Sequence, residues 1–83
     1  MQFCNATKVS LKEFYDMLDS WQKGEDVRKD LFWVEDSGEY IVIDNKSGDF
    51  FVERFKTQNA AKIWLEGADT DYCYKIDMQS ANC

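Results

Sequence analysis

The chain is expected to fold as α+β: a small single domain over residues 1–83, with an antiparallel three- to four-stranded sheet and two helices in the order α-β-β-β-α-β. Three observations lead there. A capping box at Ser10-Leu11-Lys12-Glu13 opens an amphipathic stretch. Between residues 31 and 55, runs of β-branched and aromatic residues are cut twice by turn clusters. A second apolar stretch then begins after Thr57 and stops at Gly67.

The first helix is predicted over residues 11–23. Leu11, Phe14, Tyr15 and Leu18 fall on one helical face, and Gly24 supplies a stop. Lys12 with Asp16, and Asp19 with Lys23, are spaced for i,i+4 ion pairs on the solvated side. Met17 and Trp21 lie to one side of the apolar stripe. They either cover the edge of the core or form an apolar strip facing a partner.

Glu25 to Asp30 reads as a charged connection. Leu31-Phe32-Trp33-Val34 is the first strand of a meander and ends at the turn Asp36-Ser37-Gly38. Tyr40-Ile41-Val42-Ile43 is the clearest strand, closed by the polar loop Asp44-Asn45-Lys46-Ser47-Gly48-Asp49, and residues 50–55 form a third. Thr57 caps the second helix, whose buried side is Ala60, Ala61, Ile63, Trp64 and Leu65. The alternation Tyr72, Tyr74, Ile76, Met78 against Cys73, Lys75, Asp77 predicts a half-buried strand. Residues 79–83 read as a frayed tail, and Gln2 to Cys4 as a short extra strand. The middle strands are apolar on both faces. Either the helices pack on opposite faces, or one face is open to another chain.

Composition bounds the activity. The chain has 83 residues, so it buries only about 60% of its unfolded surface, and its many aromatics serve that limited core. Net charge is −6, which repels phosphate backbones and attracts basic surfaces. The same charge also serves simple solubility. Cys4, Cys73 and Cys83 are odd in number and form no CxxC pair, so reduced thiols are expected. The first residues carry neither a basic nor an apolar signal region, and no apolar stretch is long enough to span a membrane. A cytoplasmic location is expected (the host cytoplasm if the chain is phage-encoded), so the glycosylation sequons at Asn5 and Asn45 carry no weight.

No histidine is present, which removes the commonest general base and metal ligand. The thiols are too few and too scattered for a Cys-only zinc site, and no phosphate-binding glycine motif occurs. Asp44-Asn45-Lys46 has the Asp-x-Lys form of some metal-dependent nucleases, but it sits at a hairpin tip where those residues serve a turn. The same loop fails as a calcium loop, because Lys46 and Gly48 stand at ligand positions and Phe55 at the closing position. Asp69-Thr70-Asp71 offers paired carboxylates of the kind that flank elements as solvated loop. The expectation is no enzyme activity, no cofactor and no metal.

Tyr40 through Leu65, with Phe55-Lys56-Thr57 and then Ala61 and Trp64, resembles the meander-plus-helix of phage-integrase arm-binding domains. Those domains read DNA through a basic sheet face. Here the stretch carries Glu39, Asp44, Asp49 and Glu53 against Lys46, Arg54 and Lys56, so that role does not follow. The α-β-β-β-α order is similar to double-stranded-RNA-binding domains, but only Lys56 and Lys62 stand for their basic cluster. In size, acidity and aromatic content the chain resembles small phage inhibitor proteins, anti-CRISPR proteins among them, in general character.

Two functions follow as expectations. The first is a small phage or mobile-element inhibitor that occupies a basic nucleic-acid-binding surface of a partner protein, without touching nucleic acid or membrane itself. Its candidate binding residues are Glu35, Asp36, Glu39, Asp44, Asp49 and Glu53, with Met17 and Trp21. The alternative is a homodimer or other homo-oligomeric adaptor that uses an apolar sheet face.

Overall fold

A computed structural model describes residues 6–81. The elements are β1 (Thr7–Lys8), α1 (Leu11–Gln22), β2 (Leu31–Asp36), β3 (Glu39–Asp44), β4 (Phe51–Phe55), α2 (Gln58–Leu65) and α3 (Thr70–Ala81). This is an α+β domain with a four-stranded sheet in the order β1-β2-β3-β4. The expected meander is β2-β3-β4, fully antiparallel, while β1 joins the edge in parallel with Thr7 opposite Phe32, which makes the sheet mixed. The expected strand at Gln2 to Cys4 lies outside the described residues.

Local chemistry accounts for the boundaries. Glu13 donates its backbone N–H to Ser10 Oγ at 3.0 Å, and Ser10 N–H donates to Glu13 Oε1 at 3.0 Å, closing the capping box. Lys12–Asp16 and Lys23–Asp19 are paired at 3.0 and 2.9 Å. The β2–β3 hairpin turns on Ser37 (φ 54°) and Gly38 (φ 81°), both in the left-handed region that a two-residue I′ turn demands. Thr57 caps α2, with its Oγ1 accepting from Ala60 N–H at 3.4 Å.

The period-two alternation of β2 and β3 sends side chains to two separate cores. On one face Phe32, Val34, Ile41 and Ile43 meet Phe14 of α1, with Leu11, Met17 and Leu18 around them. On the other, Leu31, Trp33, Tyr40, Val42 and Phe55 meet Ala60, Ala61 and Leu65 of α2 and Cys73 of α3. Val42, Ile43 and Phe55 are fully buried, and each such side chain contributes about 1.5–3 kcal/mol. The helices therefore cover opposite faces, and the apolar face on which the homo-oligomeric alternative relies is not open.

The segment expected as a strand over Tyr72 to Met78 is helix α3, and Gln79 to Ala81, expected as a frayed tail, belong to it. Asp69 starts it: its Oδ2 accepts from Tyr72 N–H at 3.2 Å and its carbonyl from Cys73 N–H at 3.0 Å. The stripe facing the protein is Thr70, Cys73 and Asp77, at i, i+3 and i+7, while Tyr72 and Met78 are exposed. Asp77 is buried because backbone groups meet it. Its carboxylate accepts from Lys56 N–H at 3.0 Å, Thr57 N–H at 2.8 Å and Thr57 Oγ1 at 2.8 Å. That carboxylate thus pins α3 to the start of α2.

Candidate functional site

Strand register divides the sheet into two ends. The hairpin end holds the Ser37-Gly38 turn, with Asp36 opposite Glu39, and the loop end holds Leu31, Asp44 and Phe51 side by side. Six residues of β3 separate the ends, a span of about 17 Å at ~3.4 Å per residue.

Three segments meet at the loop end. Residues 45–50 join β3 to β4, the connection of residues 25–30 precedes β2, and the turn after α2 brings Gly67 and Ala68 beside Asp44 and Phe51. Buried Asn45 ties the first two together. Its Nδ2 donates to the carbonyls of Arg28 at 2.9 Å and Val27 at 3.3 Å, and its Oδ1 accepts from Phe50 N–H at 3.1 Å. Trp21, in the last turn of α1, donates its indole N–H to the Gly48 carbonyl at 2.9 Å and stacks on Phe50 at 5.6 Å. Phe50 sits at φ 53°, a strained conformation for a bulky residue, and is held there by Asn45 and by two rings of α1, since Phe14 stacks on it too at 6.4 Å. The loop is therefore held in shape by its surroundings.

Charge is distributed unevenly between the ends. At the hairpin end, Arg54 reaches Asp36 at 2.8 Å and Glu39 at 2.9 Å, and these carboxylates, Asp36 foremost, hold the guanidinium pKa above its ordinary value. That leaves Glu35 there without an ion pair among the described residues. Glu53, in mid-strand on the α3 side, accepts from the Tyr74 hydroxyl. At the loop end, Glu25, Asp26, Asp44, Asp49 and Asp69 make no ion pair among the described residues, and Glu66 lies on the same turn as Gly67. Lys23 and Arg28 are occupied by Asp19 and Asp30, which leaves Lys29 and Lys46, with Lys62 in the last turn of α2, as the opposing cations. The C-termini of α1 and α2 also point here, each equivalent to about −0.5 charge. The N-terminus of α3 opposes them and is in turn offset by Asp69 and Asp71.

The carboxylates expected to bind a partner are thus separated along the sheet. Glu35, Asp36 and Glu39 sit at one end, Asp44 and Asp49 at the other, and Glu53 between. Met17 belongs to the α1-side core and Trp21 fastens the loop, so both cover the edge of the core. Sequence reasoning missed Glu25 and Asp26, which read as part of a plain connection, and Asp69, which caps a helix that was not expected. The register of the hairpin, combined with a helix running back from β1, is the signal that would have brought them together.

Among the described residues no group of three or more Cys, Asp and Glu side chains is placed to hold a metal ion. A cleft of about 420 Å³ between α1 and the β1–β2 edge is lined by Val9, Met17 and Phe32 among others. Its rim mixes Glu13, Asp16 and Asp26 with Lys8 and Arg28, so it selects no charge. No helix among the described residues is long and apolar enough to cross a membrane. No protein family, curated protein or solved structure matches the chain.

Proposed function

We propose that this chain is a non-enzymatic acidic binding protein whose loop end occupies a basic, nucleic-acid-binding surface of a partner protein, as a small phage or mobile-element inhibitor of the anti-CRISPR kind would. The observation that carries this reading is the gathering of un-neutralised carboxylates at the loop end, beside two helix C-termini, on a loop held by Asn45 and Trp21. A fixed array of negative charge steers and orients a basic partner, and a loop that is already ordered loses little entropy on docking. The absence of histidine supports a binding role over a catalytic one.

The test is charge reversal matched for net charge. Asp26→Lys with Asp49→Lys alters the loop end, and Asp16→Lys with Glu35→Lys reverses two other exposed carboxylates, one on α1 and one at the hairpin end, by the same amount. Capture of partners from a host lysate is expected to fall steeply with salt. It should be lost by roughly thirtyfold or more in the loop-end variant alone. Equal loss in both variants would show that net charge, and not this site, is responsible.

A further inference from the structure

We propose that the free edge of β4 is a strand-addition site for an extended segment of a partner protein that alternates basic and apolar side chains. This surface is distinct from the loop-end carboxylates and does not rest on their reading.

β4 pairs with β3 on one side, and among the described residues no strand lies on its other side. Its register is unbroken from Tyr40 opposite Phe55 to Asp44 opposite Phe51, so no bulge bends the edge away. Proteins blunt such edges with proline, lysine, bulges or very short strands. Here the chain has no proline, residues 51–55 contain no lysine, and it is the opposite edge, β1, that is only two residues long. The five-residue edge, with Phe51 56% exposed, is guarded only by the charges of Glu53 and Arg54, and these are already engaged by Tyr74 and by Asp36 with Glu39.

The edge also runs between two grooves, one on each face of the sheet. On the α1 face a groove of about 280 Å³ is lined by Phe14, Tyr15, Ile41, Val52, Glu53 and Arg54. On the α3 face one of about 300 Å³ is lined by Phe51, Glu53, Asp44 and Trp64. An added strand sends alternate side chains into these two spaces. The α3-face groove has carboxylates and no cation in its lining, and it suits lysine or arginine. In the α1-face groove Arg54 is already engaged by Asp36 and Glu39, and Glu53 by the Tyr74 hydroxyl; the remaining lining, Phe14, Tyr15, Ile41 and Val52, is aromatic or aliphatic. Basic and apolar positions therefore alternate along the occupant.

A second copy of this chain fits poorly. Antiparallel self-pairing requires a two-fold axis through the sheet, so that a residue faces its own copy. Centred on Glu53 or Arg54, like charges oppose each other directly; centred on Val52, only three residues of each strand pair. Two chains of net charge −6 also repel.

The experiment measures backbone amide exchange by NMR in the intact chain, with and without a short capped peptide alternating valine and lysine. Binding is expected to slow exchange at outward-facing amides of Phe51–Phe55. An alternating valine–glutamate peptide should fail to bind. So should the valine–lysine peptide N-methylated at alternate amides, which keeps its charge but cannot complete the ladder. Phe51→Lys, at an exposed position, should weaken binding by roughly tenfold or more. Asp26→Lys with Asp49→Lys should leave the protection at 51–55 in place, which separates this site from the loop end. Binding without protection at 51–55, equal binding of the N-methylated peptide, or a dimer of the free chain that already protects these amides would overturn the proposal.

Discussion

Replacing Asp77 by alanine removes the group that joins α3 to the rest of the protein. Its carboxylate serves three donors, Lys56 N–H, Thr57 N–H and Thr57 Oγ1, at 2.8–3.0 Å, and is itself 5% exposed. A hydrogen bond to a charged acceptor is worth about 1.5–3 kcal/mol, and a buried donor left without a partner costs about 1–3 kcal/mol. Lys56 and Thr57 lie near the surface and regain some water, so the net loss is about 3 kcal/mol. A domain of this length has a total stability of about 4–12 kcal/mol, and a loss of ~3 kcal/mol lowers Tm by on the order of 15 °C. Asp77→Asn keeps one acceptor oxygen but turns an NH2 group toward these donors, at a cost of about 2 kcal/mol. Urea unfolding followed by circular dichroism gives the totals, and amide exchange gives the location. Protection of α3 should fall further than that of β3. The Thr57→Ala change alone should cost about 1 kcal/mol, and it should combine sub-additively with Asp77→Ala because both remove the same contact. A loss below about 0.5 kcal/mol on Asp77→Ala would refute the assignment of Asp77 as the anchor of α3.

Asn45→Ala is expected to destabilise by about 2–3 kcal/mol, read by chemical denaturation, because it leaves the carbonyl of Arg28 and the N–H of Phe50 without partners. Cys73 is buried, and burial is the main cause that raises its thiol pKa. In a chain with Cys4 and Cys83 replaced by serine, a thiol reagent should label it only as fast as the protein opens. Tyr74 should titrate late, with its pKa raised to about 12 by its hydrogen bond to Glu53 and then by burial. Because the folded value lies above the unfolded value of about 10, this interaction stabilises the fold below that pH. The contribution is lost as pH rises from there through the folded value. Tyr74→Phe should remove a tyrosinate component that titrates at about 12.

Much of the fold could be read from neighbouring residues in the chain. The Ser10–Glu13 box, the Thr57 cap and the turn at Ser37-Gly38 are local signals, and each appears where local chemistry places it. Strand alternation also marked the two apolar faces, but not which helix covers which, since that depends on where the chain returns after β1 and after β4. The mistaken strand at Tyr72 to Met78 has a physical cause. Large apolar residues there happen to alternate, whereas the stripe that packs contains Thr70, Cys73 and a buried carboxylate that only tertiary contact with Lys56 and Thr57 makes tolerable. Asp69 three residues before Tyr72, with Asp71 in the first turn, is a helix-start signal that composition alone disguised as loop. For the same reason the acidic site was legible only in part. Asp44 and Asp49 are where the hairpin loop puts them, while Glu25 and Asp26 join them through Asn45, whose contacts span 17 and 18 residues.

The loop-end reading is tested most directly by competition. Once a partner is captured, a fluorescent oligonucleotide bound to it reports whether this protein and nucleic acid share a surface. The wild-type chain and the Asp16→Lys/Glu35→Lys variant should both displace the oligonucleotide, and Asp26→Lys/Asp49→Lys should not. An oligonucleotide that stays bound while the wild-type chain binds, or displacement that survives charge reversal at the loop end, would contradict the account.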